Sequence, residues 1–368
     1  MTDGTINLNG FSTTVAKITG IGTVTNNSTT ASTLVVNAAD NFTFSGVISD
    51  GAASFGVMSL TKNGNGTLTL STTNTYSGAT TIQAGTVLLS GSGNLGSGSA
   101  LTMAGGKLDL GTLACSVGSV AITAPATSGA TIENGDLTGT SYAASNAAGN
   151  VVISANLLAS GSAGFTKSGA GSLTLSGANT YTGNTNVTAG TLNITGSITG
   201  LAASSKLNLN PTAGNVVVNY NGGSSTLQAV TGASVLGTAS VLEITGGNLT
   251  ISPGVTTGTQ SVTGTGHTGT GAYGCYRITT GTLRDNGRFT MTGRGTVAAE
   301  TGPASGLQTA VVFVGGSGLI DQTSSEWWLN YSLGQVTVAD SGIIDRTGSS
   351  QPFGLFMDHS SGITGGGY

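Results

Sequence analysis

The sequence of 368 residues is poor in several kinds of side chain. Charged residues make up 7%, against about 25% in an average soluble domain. Two cysteines and five prolines are too few for a disulfide framework or for collagen. The ten basic residues are spread along the chain, so we expect no nucleic-acid partner, because phosphate binding needs clustered Lys and Arg. No apolar run approaches the ~20 residues of a transmembrane helix, so no transmembrane segment is predicted.

Glycine and threonine are abundant, with 63 and 61 residues. Glycine costs about 1 kcal/mol per residue in a helix, and β-branched threonine is only an average helix former. The hydrophobic fraction of 37% is too high for a disordered chain extended by its charges. The composition therefore predicts an all-β fold with many tight turns.

An internal repeat indicates how the strands are arranged. Residues 60–92 and 165–197 are identical at 18 of 33 positions, at a constant offset of 105. Within each copy, short alternating runs such as Thr67–Leu70 and Ser172–Leu175 place apolar side chains on one face and hydroxyls on the other. Strands this short bury their apolar edges by stacking on equivalent strands of the next turn. The repeat therefore favours a solenoid over a sandwich.

The pattern LTKxGxGxLTLSxxNTYxGxTxxxAGT in these two segments resembles the autotransporter-associated β-strand repeat of bacterial secreted passenger proteins. The resemblance is specific over residues 1 to about 200. It implies a right-handed parallel β-helix and an extracellular or bacterial cell-surface location. The N-terminal Met-Thr-Asp-Gly has neither the basic nor the apolar region of a signal peptide, so we expect the export signal not to be part of this chain.

The composition changes after residue 252. All five lysines precede residue 207, whereas all five arginines and both tryptophans follow residue 276. We therefore predict a repeat-bearing solenoid over residues 1–252. Residues 253–368 are expected either to continue the solenoid or to form a C-terminal β sub-domain with a more charged and aromatic surface.

Asp321 and Asp345 are the candidate catalytic residues. They occupy equal positions in a short repeat, GLIDQT and GIIDRT, at an offset of 24 residues, a plausible length for one turn. On adjacent turns their carboxylates would stack about 5 Å apart, close enough to share a proton, bind Ca²⁺ or act on a glycosidic bond. The alternative, which we prefer, is that both are turn residues bonded to nearby backbone amides. No other metal or cofactor is predicted.

Three arginines are candidate binding residues: Arg277, Arg284 and Arg288. One interpretation is a groove for an acidic polysaccharide, because arginine binds carboxylates in a bidentate manner. The preferred alternative is a row of surface arginines paired with Asp285 and Glu300 along a subunit contact.

Trp327, Trp328 and Tyr331 are the candidate aromatic contacts. Adjacent residues of a strand face opposite sides, so one tryptophan should be buried and the other exposed or covered by a partner. The aromatic group could stack on sugars or anchor self-association. The preferred alternative is plain packing.

Two functions fit these observations. The preferred one is a non-enzymatic structural or adhesive solenoid, serving as a surface stalk, an adhesin or a filament subunit that assembles with itself and contacts glycans or host surfaces. The other is a β-helical polysaccharide lyase or hydrolase, or a phage tailspike-like depolymerase, acting through Asp321 and Asp345. The repeat favours the structural function.

Overall fold

The structure is a computed structural model. It describes residues 3–52, 54–125, 129–199, 205–212, 216–232 and 240–251, and after these the strands given below together with residues 316, 317 and 341. These residues form strands and turns, with no helix among them. It follows that the described part of the chain holds no helix long and apolar enough to cross a membrane.

The chain divides into two compact units. The first comprises residues 1–165 and 171–181, and the second comprises residues 166–170 and 182–368. The boundary predicted between residues 252 and 253 falls at the edge of the segment 252–259, which lies outside the described residues. That boundary stays a prediction.

The strands of the first unit form sheets I, II and III. Sheet I contains Thr13–Val15, Ser32–Asn37, Met58–Asn63, Thr80–Ile82, Leu101–Met103, Ser119–Ile122 and Ser141–Ala144. Sheet II contains Phe42–Phe44, Thr67–Leu70, Thr86–Leu89, Lys107–Asp109, Ala130–Glu133, Asn150–Ile153 and Ser172–Leu175. Sheet III has two parts, Thr5–Asn7 with Thr23–Thr25 and Val47–Ile48, and Ala114–Ser116 with Asp136–Gly139 and Asn156–Ala159. Two further strands lie near the division between the units, Phe165–Lys167 and Ala178–Asn179.

The second unit also has three sheets, IV, V and VI. Sheet IV contains Thr185–Val187, Lys206–Leu209, Ala229–Gly232, Gln260–Gly266, Arg288–Gly293, Trp327–Asn330 and Phe356–Met357. Sheet V contains Gly190–Ile194, Val216–Tyr220, Ser240–Ile244, Tyr276–Ile278, Ala310–Val314 and Gln335–Val338. Sheet VI contains Ser224–Leu227, Asn248–Ile251, Thr282–Asp285, Leu319–Gln322 and Ile343–Asp345. A short strand, Ser197–Ile198, lies between Gly190–Ile194 and Lys206–Leu209 along the chain.

Strand pairing shows how the chain winds. Thr67 pairs with Thr86, and Thr86 with Lys107, so the same sheet is revisited after 19 and then 21 residues. The pairings within each unit are parallel, as in the ladders from Ser32–Asn37 to Met58–Asn63 and from Val216–Tyr220 to Ser240–Ile244. Each turn therefore adds one strand to each sheet that it crosses. The predicted fold class, an all-β parallel β-solenoid, is confirmed.

Stacked apolar side chains fill the interior of each unit. In sheet II one column of register partners is apolar on every turn and at most 8% exposed: Phe42, Leu68, Val87, Leu108, Ile132, Ile153 and Leu175. In sheet V the corresponding column is at most 1% exposed: Ile194, Tyr220, Ile244 and Ile278. One residue farther along the strand the side chain faces outward, which explains the alternation with threonine.

Candidate functional site

Lys62 is a charged side chain inside the first unit. Burial alternates along Met58–Asn63 and turns Met58, Leu60 and Lys62 inward, between the register partners Val36 and Ile82. The side chain is fully buried. Its aliphatic stem packs in an apolar column, while the ammonium group reaches the bend that joins sheets I and II.

The Lys62 ammonium group binds backbone oxygens of that bend. Nζ donates to the carbonyl oxygens of Asn63 at 2.8 Å, Gly64 at 2.7 Å and Ala84 at 3.3 Å. The first two belong to its own turn and the third to the next. Burial lowers the pKa of Lys62 to about 8, because desolvation disfavours the charged form. The ammonium group thus fastens two successive turns at one bend.

Lys167 occupies the equivalent position in the second copy of the repeat. It is fully buried, and its Nζ donates to the carbonyl oxygens of Gly169 and, at 3.3 Å, of Ala189. Burial lowers its pKa to about 8 as well. Lys167 therefore fastens two successive turns of the second unit, as Lys62 does in the first.

Gly85 leaves room for the ammonium group of Lys62. Gly85 has a φ of +65°, and a Cβ there would lie 2.6 Å from the Lys62 Nζ atom and would meet the carbonyl oxygen of Gly64. Both the backbone conformation and the close approach require glycine. The Ala-Gly-Thr of the repeat and its lysine are therefore parts of one bend.

Asn74 and Asn179 bond the backbone at another bend of each copy. Asn74 is 2% exposed; its Oδ1 accepts a hydrogen bond from the amide of Ile48 at 2.9 Å, and its Nδ2 donates to the carbonyl oxygen of Asn94 at 2.8 Å. It therefore bridges the turn before and the turn after its own. Asn179 likewise accepts a hydrogen bond from the amide of Leu157 at 3.2 Å.

The tyrosine of each copy fills the interior. Tyr76 is 1% exposed, and its hydroxyl shares a 2.7 Å hydrogen bond with that of Thr80. Burial raises the pKa of Tyr76 to about 12. Tyr181 lies against Tyr142 and Phe165, with ring centroids 6.1 Å away in each case, within the range of favourable aromatic pairs.

These two segments are also the part of the chain that a known family matches. The Passenger-associated-transport-repeat model matches residues 60–89 and 165–194. Two segments of the chain are thus similar to the passenger-associated transport repeat, and they are called the transport repeats below. The resemblance seen in the sequence is thereby confirmed, and the solenoid agrees with an autotransporter passenger-like β-helix. Neither a curated protein nor a solved structure gave a significant match.

Asp321 and Asp345 lie outside the transport repeats, on neighbouring strands of sheet VI. They are register partners, and Asp321 also pairs with Arg284 on the preceding strand. Neighbouring strands are about 4.8 Å apart. Asp321 is half-buried. The structure thus places the two aspartates on adjacent turns, as their spacing in the sequence predicts, with an arginine position one turn before them.

The candidate arginines belong to three different sheets. Arg277 is in sheet V, where it pairs with Glu243 and Phe313. Arg284 is in sheet VI, and Arg288 pairs with Gln260 in sheet IV. The acidic residues that are register partners of Arg277 and Arg284 are Glu243 and Asp321. The predicted pairing of the arginines with Asp285 and Glu300 stays a prediction, and Glu300 lies outside the described residues.

Trp327 and Trp328 begin the sheet IV strand Trp327–Asn330. Trp327 pairs with Phe289, and Trp328 pairs with Thr290 on one side and Phe356 on the other. Tyr331 lies outside the described residues. Each of the two tryptophans is thus the register partner of a phenylalanine on a neighbouring strand of sheet IV.

A charged cluster that the sequence did not single out lies at the bend between sheets II and III of the first unit. Lys107 and Glu133 form an ion pair of 2.9 Å. Asp109 is the register partner of Glu133 and accepts a hydrogen bond from the Asn134 amide at 2.8 Å. Among the described residues, no group of three or more His, Cys, Asp or Glu side chains is arranged to hold a metal ion. Calcium binding by Asp321 and Asp345 stays a prediction.

Proposed function

We propose that this protein is a non-enzymatic extracellular solenoid that acts as a surface stalk, an adhesin or a filament subunit. One observation carries the proposal: the distinctive polar side chains of the transport repeats face inward. Lys62, Asn74 and Tyr76 are each at most 2% exposed and bond to the protein itself. The repeats therefore use their distinctive chemistry for the scaffold, as a structural element would.

The outer surface supports association with further copies. The outward columns of sheets I and II are rich in Thr and Ser, and the whole chain has only 24 charged residues at a net charge of −4. Electrostatic repulsion between copies is correspondingly weak. We expect contacts with glycans or cell surfaces to involve the aromatic and arginine residues after residue 252.

Sedimentation velocity of the purified chain over a wide concentration range, with electron microscopy of the same samples, tests self-association. We expect oligomers or filaments that grow with concentration. Dispersed monomers at the highest concentration would contradict the filament role.

Adhesion is tested by binding of the purified chain to glycan arrays and to cells. The matched variants are Trp327→Ala and Trp328→Ala, because adjacent strand residues face opposite sides. We expect one variant to reduce binding with unchanged stability and the other to reduce stability. If both variants bind as well as the wild type, the tryptophans are not part of the proposed contact surface.

A carbohydrate-active enzyme is the second candidate, favoured by the register pairing of Asp321 with Asp345. Its test is release of new chain ends from acidic polysaccharides by the wild type and by Asp321→Asn and Asp345→Asn. Asp109→Asn is the matched control, since Asp109 also has an acidic register partner. We expect no cleavage. Cleavage that is lost in the first two variants and kept in the control would replace the structural proposal.

A further inference from the structure

Asn63 stands at the start of the bend that Lys62 fastens, and its side chain folds onto its own backbone. The Asn63 Oδ1 atom accepts a hydrogen bond of 2.9 Å from the amide nitrogen of Gly64. The side-chain amide carbon and the Gly64 nitrogen are the two atoms that join when an Asn-Gly pair cyclises to a succinimide. Oδ1 is bonded to that carbon, so the hydrogen bond keeps the two reacting groups beside each other and removes part of the entropic barrier to ring closure.

The same peptide group carries a cation. Lys62 Nζ donates to the Asn63 carbonyl oxygen at 2.8 Å and to the Gly64 carbonyl oxygen at 2.7 Å. The Asn63 carbonyl and the Gly64 N–H belong to one peptide group. An ammonium group on the oxygen withdraws electron density from the nitrogen and stabilises the anion formed when the N–H proton leaves. Because Lys62 is fully buried, water screens this effect little.

We propose that Asn63 is a site of spontaneous deamidation that Lys62 activates. Hydroxide removes the Gly64 N–H proton, and the nitrogen attacks the Asn63 side-chain carbon. The bond from that carbon to the amide nitrogen then breaks, and the nitrogen leaves as ammonia with a proton taken from water. Water next opens the succinimide at either carbonyl, giving aspartate or isoaspartate. No oxidant, reductant or enzyme is required.

The two products differ in their effect on the bend. Aspartate keeps the backbone and places a carboxylate next to the buried Lys62. Isoaspartate adds an atom to a backbone that has no room, since even a Cβ on Gly64 would meet the carbonyl oxygen of Ala38. The products therefore accumulate with time, and they alter a bend that belongs to the transport repeat.

The chain supplies its own controls. The second repeat has Ser168 and Gly169 at the equivalent positions, which cannot deamidate. Asn134 and Gly135 form another Asn-Gly pair, but the Asn134 Nδ2 atom donates to the Asp109 carboxylate at 2.8 Å. That hydrogen bond ties the Asn134 side-chain amide to Asp109, and the carboxylate opposes formation of a second anion nearby.

The test is incubation of the purified chain at about pH 7, where Lys62 keeps its proton because its pKa is about 8, with peptide mapping by mass spectrometry and detection of isoaspartate over time. We expect Asn63 to convert about tenfold faster than Asn134, and Lys62→Gln to slow Asn63 by about tenfold, less than the 10²-fold that an oxyanion-hole donor provides in an enzyme. Asn134 should keep its rate in that variant.

Local unfolding in Lys62→Gln would speed Asn63 rather than slow it, so the direction of the change separates activation from loss of structure. Rates in the urea-unfolded chain supply the reference for each site. Conversion of Asn63 in the folded chain no faster than that of Asn134, or no slower in Lys62→Gln, would overturn the proposal.

Discussion

Raising the pH should stabilise this protein through Lys62 and Lys167. Each lysine has a pKa of about 8 in the folded chain, against 10.5 for an ordinary lysine. Between these values the unfolded chain binds more protons than the folded chain. The free energy of unfolding therefore rises with pH in this window and is lowest below about pH 8, where both states are protonated.

The size of the effect follows from the shift. A lowering of about 2.5 pK units corresponds to roughly 3 kcal/mol over the whole window, at 1.36 kcal/mol per unit. About 2 kcal/mol of this is expected between pH 7 and pH 9.5 for each lysine. The series ends there because tyrosines such as Tyr76, whose pKa is raised to about 12, have the opposite effect above about pH 10.

Urea unfolding followed by circular dichroism at several pH values measures this effect. The unfolding midpoint of the wild type should rise with pH, Lys62→Met should lose part of the rise and Lys62→Met with Lys167→Met should lose most of it. Lys107→Met is the control, because Lys107 is partly exposed and paired with Glu133. A wild-type unfolding midpoint that does not change with pH would contradict this prediction. The hydrogen bonds to the carbonyl oxygens would then compensate completely for the desolvation of the ammonium groups.

Three other substitutions test the packing, each by its urea midpoint. Gly85→Ala should cost at least about 2 kcal/mol more than Gly98→Ala, because both glycines have positive φ but only Gly98 has open space around its Cβ position; equal costs would contradict the close approach. Leu68→Ala should cost about 2–5 kcal/mol, whereas Thr69→Ala, on the outer face, should stay within about 0.5 kcal/mol; similar losses would mean that the inward and outward positions are assigned incorrectly. Tyr142→Phe should cost about 1–3 kcal/mol, since the hydroxyl accepts from the Gly139 amide at 2.7 Å, and an unchanged midpoint would show that this bond is dispensable.

The fold was predictable because its signal is periodic. Alternation in runs such as Thr67–Leu70 identifies strands with one buried face, and the 105-residue repeat shows that such strands stack on their like. The register of Asp321 with Asp345 was also predictable, because an offset of 24 residues matches one turn. The spacing of residues along the chain therefore predicted which of them become neighbours on successive turns.

The interior lysine was not predicted, although the signal was present. In Met58–Asn63 every second residue is inward, and this phase places Lys62 in line with Leu60. General rules put lysine on the surface, and only the three-dimensional bend shows that backbone oxygens of two turns meet its ammonium group. The alignment of Arg277 with Glu243 and of Arg284 with Asp321 was not predictable for a related reason: the turn length, and hence the register, changes from one turn to the next in the second unit.

Amine acylation followed by mass spectrometry tests most directly whether the lysines of the transport repeats are interior. The chain has five lysines; Lys17 and Lys206 are exposed and Lys107 is partly exposed, whereas Lys62 and Lys167 are fully buried. In the native protein we expect the first three to react readily and the two repeat lysines to react only when urea unfolds the chain. Labelling of Lys62 and Lys167 as fast as Lys107 under native conditions would contradict an interior position for the two repeat lysines.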